Sequence, residues 1–232
     1  MTMQGILLID KPTGWTSFDV VNYVRRIVAT QAGTKPKNTK VGHTGTLDPA
    51  ATGLLVLLVG KEYTRKATEL AKVDKTYEVT MKLGETSSTG DSEGEIEAVS
   101  DTAPEQKAVL EAVERFRGQL MQTPPIYSAI KINGQRAYKL AREGKVVEME
   151  PRPVTIYSSE LTSYEYPFVK FTCKVSSGTY IRSLVEDLGK ELGTGAYMSD
   201  LRRTAVGVYD ISSAHPVKSL DQDTLPAKLF EL

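Results

Sequence analysis

The 232-residue chain contains one cysteine, Cys173, two histidines, His43 and His215, and one tryptophan. A single thiol closes no internal disulfide and builds no cysteine-based zinc site. Two imidazoles leave little for a metal site made of histidine. Long apolar runs are also lacking. The longest is Leu54 to Val59, whereas a membrane-spanning helix needs roughly 20 apolar residues. The first residues carry neither a basic cluster nor a long apolar stretch, so no secretory leader is expected. Net charge is absent as well, with 29 basic and 29 acidic residues. A wholly disordered chain would have fewer apolar residues and less balanced charge, while 40% hydrophobic with 25% charged is globular. The expectation is a soluble cytoplasmic protein with no membrane segment and no tightly bound metal.

What is present is charge that segregates along the chain. From Val20 to Leu47 there is no acid, but Arg25, Arg26, Lys35, Lys37 and Lys40 occur. From Glu85 to Gln106 there are seven acids and no base. Lys131 to Arg152 is again mostly basic. Such blocks are either a face that meets phosphates or an ordinary solvated surface.

Periodicity gives a coarse map. Gly5 to Asp10 and Leu54 to Val59 read as short buried strands. Val20, Val21, Val24, Ile27 and Val28 are spaced for a helix that Thr16 or Ser17 can cap. Gln31 to Gly53 reads as a long loop, and loops of that length are often functional. A helix is expected over about Lys61 to Ala71, and a half-buried strand over Lys75 to Leu83. Further on, helices are expected over Pro104 to Arg117, Gln135 to Glu143 and from about Gly178 to Leu192. Strands are expected over Val146 to Met149, Val154 to Tyr164, Phe168 to Val175 and Val206 to Ile211. No regular βαβ spacing occurs, so the expected class is α+β, with a central mixed, mainly antiparallel sheet flanked by helices and loops. No sharp boundary is visible, so one domain is expected over residues 1–232.

The segment Gly42 to Gly53 is the richest in chemistry. Asp48 is the only acid between Asp19 and Glu62 and sits in a glycine-rich loop among basic residues. It could be an ionised nucleophile or base, or simply an Asp-Pro turn initiator. Arg182 lies early in an expected helix, where the dipole slightly disfavours a cation. That suggests a carboxylate partner, against the alternative of a solvated arginine. Tyr77 could stack on a base or fill the core. His43 could stack or titrate near Asp48, or be a plain loop histidine.

These residues fall into an ordered series of motifs. Lys11-Pro-x-Gly-x-Thr-Ser17, Gly42-His-Thr-Gly-x-Leu-Asp48-Pro-x-Ala-x-Gly53, Lys75-x-Tyr77 and Pro124-Pro-x-Tyr-Ser-Ala-x-Lys131 come first. Gly134 to Tyr138, Ala141-Arg142, Gly178-Thr-Tyr-Ile-Arg182, Leu188-Gly189, Leu192-Gly193, Gly195-Ala196 and Leu201-Arg-Arg203 follow. Together they resemble the TruB type of tRNA pseudouridine synthase over residues 4–210.

The resemblance implies a pseudouridine synthase catalytic fold and conversion of uridine-55 in the tRNA T-loop to pseudouridine, with no cofactor and no metal. It makes Asp48 the essential carboxylate and Arg182 the arginine that pairs with it. Tyr77 becomes the tyrosine that stacks on the target base and the candidate for removing the C5 proton. An unperturbed tyrosine, with a pKa of ~10, is a weak base for that task. Tyr180 and Leu201 would line the uracil pocket, and His43 would touch the RNA where the flipped nucleotide has left its stack. Lys11 and Arg65 are implied phosphate contacts, and Asp91 is an acid near the site. Residues 124–152, with Lys131 and Arg142, are implied to be an RNA-clamping insertion. Only a short tail follows Asp210, so the C-terminal PUA-type RNA-binding domain is expected to be missing and substrate choice to rest on the T-arm. The implied partner is the tRNA T-arm, bound by a monomer with no obligate protein partner. Two other classes compete: a tRNA-folding factor without essential chemistry, and an aspartate-nucleophile hydrolase acting on small phosphates. The hydrolase would want a cluster of acids for magnesium, which the surroundings of Asp48 do not supply.

Overall fold

The structure is a computed structural model describing residues 3–128, 130–132, 134–145 and 148–231, without the side chains of Lys131, Tyr138 and Arg142. The first elements in chain order are β1 (Gly5–Lys11), α1 (Ser17–Gln31), β2 (Val41–His43), β3 (Thr52–Val59), α2 (Lys61–Arg65), α3 (Ala67–Leu70) and β4 (Lys75–Leu83). Next come β5 (Glu85–Ser87), β6 (Ile96–Ala98), α4 (Gln106–Arg115), β7 (Gly118–Gln122), β8 (Lys131–Ile132), β9 (Gln135–Arg136) and α5 (Ala137–Arg142). The chain closes with β10 (Arg152–Glu165), β11 (Phe168–Val175), α6 (Ile181–Glu191), β12 (Ala196–Val206), β13 (Tyr209–Asp210) and β14 (His215–Pro216). The fold is α+β, with a mixed, mainly antiparallel sheet flanked by helices. The residues group into two compact units, 1–77 with 202–232, and 78–201.

In the first unit β1 runs antiparallel to β3, in register from Gly5 opposite Val59 to Lys11 opposite Gly53. β2 pairs antiparallel with the other edge of β3, β14 lies parallel to β1, and Arg202 and Arg203 of β12 lie parallel to Thr52 and Gly53. Side chains alternate across a strand. Leu7, Ile9, Leu55, Leu57 and Val59 therefore pack with Val20, Val21, Val24 and Val28 of α1. Ile6, Leu8, Leu54, Val56 and Leu58 pack on the opposite face with Val206, Tyr63, Leu70 and Tyr209. Burial on both faces is why Leu54 to Val59 is an unbroken apolar run rather than an alternating one.

α1 starts with a capping box. The Thr16 hydroxyl accepts from the Asp19 N–H at 3.0 Å, and the Asp19 carboxylate accepts from the Thr16 N–H at 2.9 Å, an arrangement that stabilises a helix by ~1 kcal/mol. Ser17 is thereby left for another task, described below. In the second unit β10 pairs antiparallel with both β11 and β7. Val109, Ala112 and Val113 form the buried face of α4, which packs against β10.

Some elements differ from the sequence reading. The stretch from Gln31 to Gly53 is not all loop, since it holds a 3₁₀ turn at Pro36–Asn38 and the strand β2. The helix expected over Lys61 to Ala71 is two short helices that break at Lys66. Leu201-Arg-Arg203 lies inside an eleven-residue strand, whose alternation the charged residues hide. At the start of α6, Tyr180 holds the N-cap position, and the Thr179 hydroxyl donates to the Ser176 carbonyl. Val146 and Val147, in an expected strand, lie outside the described residues.

Candidate active site

In the first unit, Asp48 sits between β2 and β3 in a loop whose backbone is held from three directions. From β12, the Arg203 guanidinium donates through Nε to the Leu54 carbonyl at 2.8 Å, through one terminal nitrogen to the Gly45 carbonyl at 3.0 Å and through the other to the Thr46 carbonyl at 3.4 Å. From the start of α1, the Ser17 hydroxyl donates to the Leu47 carbonyl at 3.0 Å and accepts from the Leu47 N–H at 2.8 Å. From the end of β1, the Lys11 ammonium donates to the carbonyls of Pro12, Trp15 and Pro49 at 2.9, 2.6 and 3.2 Å. The residues on either side of Asp48 are therefore held in place, and Asp48 itself is half-buried.

This setting corrects the reading of Lys11. Its side chain is fully buried and its ammonium is committed to three carbonyls, so it clamps the turn to the loop instead of meeting phosphate. Arg65, exposed at the end of α2, remains free of that objection.

The cations around this loop have electrostatic consequences. Lys75 is buried, and burial followed by the charge of Arg203 pushes its pKa down to about 8. Its ammonium is steadied by the carbonyls of Ala71 and Val73 at 2.9 and 2.6 Å. A methyl group built on Gly45 would lie 3.5 Å from both the Arg203 guanidinium and the Lys75 side chain. His43, at the end of β2, has its pKa lowered by burial and then by Arg203, and is therefore neutral at pH 7. Its Nδ1 is buried with no hydrogen-bond partner among the described residues. Tyr77 is buried on the same face of β4 as Lys75.

Gly53 closes the loop where the chain enters β3. Its φ is +100°, and an added Cβ would lie 2.3 Å from the Arg203 carbonyl oxygen and 2.7 Å from its nitrogen. Left-handed strain and a collision with backbone add together. Gly53→Ala is therefore expected to destabilise the chain by at least ~3 kcal/mol, read as a lowered urea midpoint or as loss of soluble protein.

In the second unit, Arg182 occupies the first turn of α6 and is 7% exposed. One terminal nitrogen donates to the Thr89 carbonyl at 3.0 Å and lies 3.4 Å from a carboxylate oxygen of Asp91. The other donates to the Tyr127 carbonyl at 2.9 Å. Asp91 is itself 4% exposed, and its second oxygen accepts from the Thr89 hydroxyl at 2.6 Å and the Glu93 N–H at 3.1 Å. The awkward cation at a helix start is thus explained in part by a buried carboxylate. Tyr180 is positioned by the Gln122 side chain, which accepts from its N–H at 2.8 Å and donates to its carbonyl at 3.0 Å. Leu201 is buried near the end of this unit's part of β12.

The structure thus brings His43 and Asp48 onto one loop system, with Lys11 as its clamp, and brings Arg182 and Asp91 into contact. The backbone of Lys131 and Arg142 lies in β8 and α5, but their side chains are outside the described residues. The sequence reading missed Arg203, Ser17 and Lys75. Arg203 stood in the motif series without a role, and a buried arginine in a strand was the available signal. Among the described residues, no group of three or more His, Cys, Asp or Glu is placed to hold a metal ion. No helix among them is long and apolar enough to cross a membrane.

The chain that carries these residues is similar to pseudouridylate synthases. Residues 31–181 match the TruB family pseudouridylate synthase N-terminal domain, and residues 182–228 match the tRNA pseudouridylate synthase B C-terminal domain. The tRNA pseudouridine synthase B of Aeromonas salmonicida is 47% identical over 207 residues, covering 89% of this chain and 62% of that protein. Its counterpart from Clostridium acetobutylicum is 42% identical over 230 residues, covering 99% of this chain and 76% of that protein. Among solved structures, a Cbf5-Nop10-Gar1 complex is similar with a TM-score of 0.70 and 28% identity, over 93% of this chain and 53% of that chain. An H/ACA RNP bound to a substrate RNA containing 2′-deoxyuridine is similar with a TM-score of 0.67 and 26% identity, over 93% of this chain and 52% of that chain. The chain belongs to the TruB family of pseudouridylate synthases.

The second match overturns the expectation that the family's C-terminal domain is missing. The matched stretch opens at residue 182, within α6, and runs to residue 228. More than half of that stretch precedes Asp210. The inference that substrate choice rests on the T-arm alone falls with that expectation.

Proposed function

We propose that this chain carries out the family's isomerisation on tRNA, converting uridine-55 of the T-loop to pseudouridine. The C1′–N1 bond breaks, the uracil turns, and a C1′–C5 bond forms. C5 gives up its proton and N1 takes one, so atoms and charge balance with no external reagent. The observation that carries this reading is Asp48, the sole acid in sequence between Asp19 and Glu62, on a loop whose neighbouring carbonyls are held by Arg203, Ser17 and Lys11. Such a frame keeps a reacting group in place without reorganisation at the moment of reaction. The carboxylate has three chemically sound targets, namely C1′, C6 of the uracil, or the C2′ proton.

We assign Arg182 to holding charge complementary to that carboxylate, as the family resemblance implies, with Asp91 fixing the guanidinium. We assign Tyr77 to stacking on the uracil and to late removal of the C5 proton, and Tyr180 and Leu201 to the walls of the base pocket. His43, being neutral, suits a stacking contact with RNA beside the flipped nucleotide, and stacking there offsets part of the cost of unstacking. Arg65, Lys131 and Arg142 are assigned to phosphates, with residues 124–152 as the clamp. No metal or cofactor and no obligate protein partner is assigned.

The test is tritium release from a T-arm hairpin labelled at uracil C5, with and without a chelator. Release that is unaffected by the chelator is expected, and no release by folded chain that binds the hairpin would refute the reading.

A further inference from the structure

Upstream of the Asp48 loop lies a basic turn that the catalytic scheme leaves unused. Between Val20 and Leu47 the sequence has no carboxylate. Within that stretch Lys35, at the N-cap, and Lys37 flank Pro36 of the 3₁₀ turn Pro36–Asn38, and all are exposed to solvent. Neither has a carboxylate partner among the described residues.

The turn is held in shape. The Asn38 N–H donates to the Lys35 carbonyl at 2.9 Å and the Thr39 N–H to the Pro36 carbonyl at 3.1 Å. The hydroxyls of Thr34 and Thr39 lie 3.1 Å apart, and the Thr34 N–H donates to the Ala29 carbonyl at the end of α1 at 2.9 Å. Pro36 fixes one backbone angle further. The turn also has a fixed place relative to β2, the strand ending at His43. Both pack on α1, and the Arg25 guanidinium donates to the Val41 carbonyl at 3.2 Å. From Lys37 to His43 the chain reaches at most about 20 Å.

Resting on the proposed RNA substrate, we propose that the Lys35–Lys37 turn grips phosphates of the RNA stem next to the flipped nucleotide. The chemistry of the turn favours RNA over a protein partner. Protein interfaces are built on aromatic and apolar anchors and are depleted of lysine, and residues 31–38 offer no large apolar side chain. Phosphate contacts want ammonium groups and hydroxyls on a rigid frame, which Lys35, Lys37 and Thr34 supply. In a chain with no net charge, overall attraction to RNA is weak, so local acid-free surfaces must supply it.

The test is the double variant Lys35→Gln with Lys37→Gln, whose exposed positions leave the core untouched. Binding of a T-arm hairpin is measured across a salt series. Each lost phosphate contact lowers the slope of log K against log salt by about 0.7–0.9. The expected result is a slope shallower by about 1.5, an affinity about tenfold lower at modest salt, and unchanged single-turnover chemistry at saturating RNA. The double variant Lys35→Arg with Lys37→Arg should keep the wild-type slope. Product formation by wild type on the same hairpin is read in parallel. Normal product with an unchanged salt slope would overturn the lysine turn alone. No product from wild type would remove the enzymatic reading and this contact with it.

Discussion

Asp48→Asn is expected to abolish pseudouridine formation, by at least about a thousandfold or ~4 kcal/mol of barrier, while leaving the fold and RNA binding nearly intact. Asparagine has the shape of aspartate but offers no negative charge and no basic oxygen pair. The loop that carries it is also held by contacts to its backbone. Its frame is made by Arg203, Ser17 and Lys11 on neighbouring carbonyls, and the Asp48 carbonyl accepts from the Ala51 N–H at 3.1 Å whatever the side chain. Urea unfolding should shift by less than ~0.5 kcal/mol, and filter binding of the T-arm hairpin should match wild type. Turnover above trace level by pure variant would mean that the carboxylate is not the reacting group.

The second large effect is expected at Arg182. Replacing it with alanine leaves the buried Asp91 carboxylate and the carbonyls of Thr89 and Tyr127 without their guanidinium. Removing one member of a buried pair costs about 3–5 kcal/mol, so Arg182→Ala should lose both stability and turnover. Arg182→Lys separates the two. It keeps the charge but not the planar fork that reaches Thr89 and Tyr127 from opposite ends. It should recover much of the stability and only a small part of the activity, read by urea unfolding beside single-turnover rates at saturating RNA. Full activity in the lysine variant would show that the fork geometry is irrelevant to the chemistry.

Much of the first unit was legible because its signals are local. The apolar pair Gly5 to Asp10 and Leu54 to Val59, and the valines of α1, announce two strands and a helix by burial period alone. The sequence narrows the cap to Thr16 or Ser17, and the structure places it at Thr16 and gives Ser17 to the Leu47 backbone. What the sequence hid are contacts between residues far apart in the chain. Arg203 is separated by some 150 positions from the carbonyls it holds, and as a buried arginine it blurs the alternation that would have marked β12. Lys11 misled for a related reason, since lysine in a turn is ordinarily solvated, and only tertiary packing closes three carbonyls around it. Asp91 was read as an acid near the site, and its contact with Arg182 needs the fold of β5 to α6 to become visible.

The most direct measurement is to map modified positions on an unmodified tRNA transcript after incubation with purified wild-type chain, using carbodiimide adducts read by primer extension. A single new stop at the T-loop uridine is expected, absent with Asp48→Asn and absent when that uridine is replaced by cytidine. A transcript left unmodified by folded wild-type chain, or one modified equally well by Asp48→Asn, would contradict the assignment of this chain as an Asp48-dependent tRNA pseudouridine synthase.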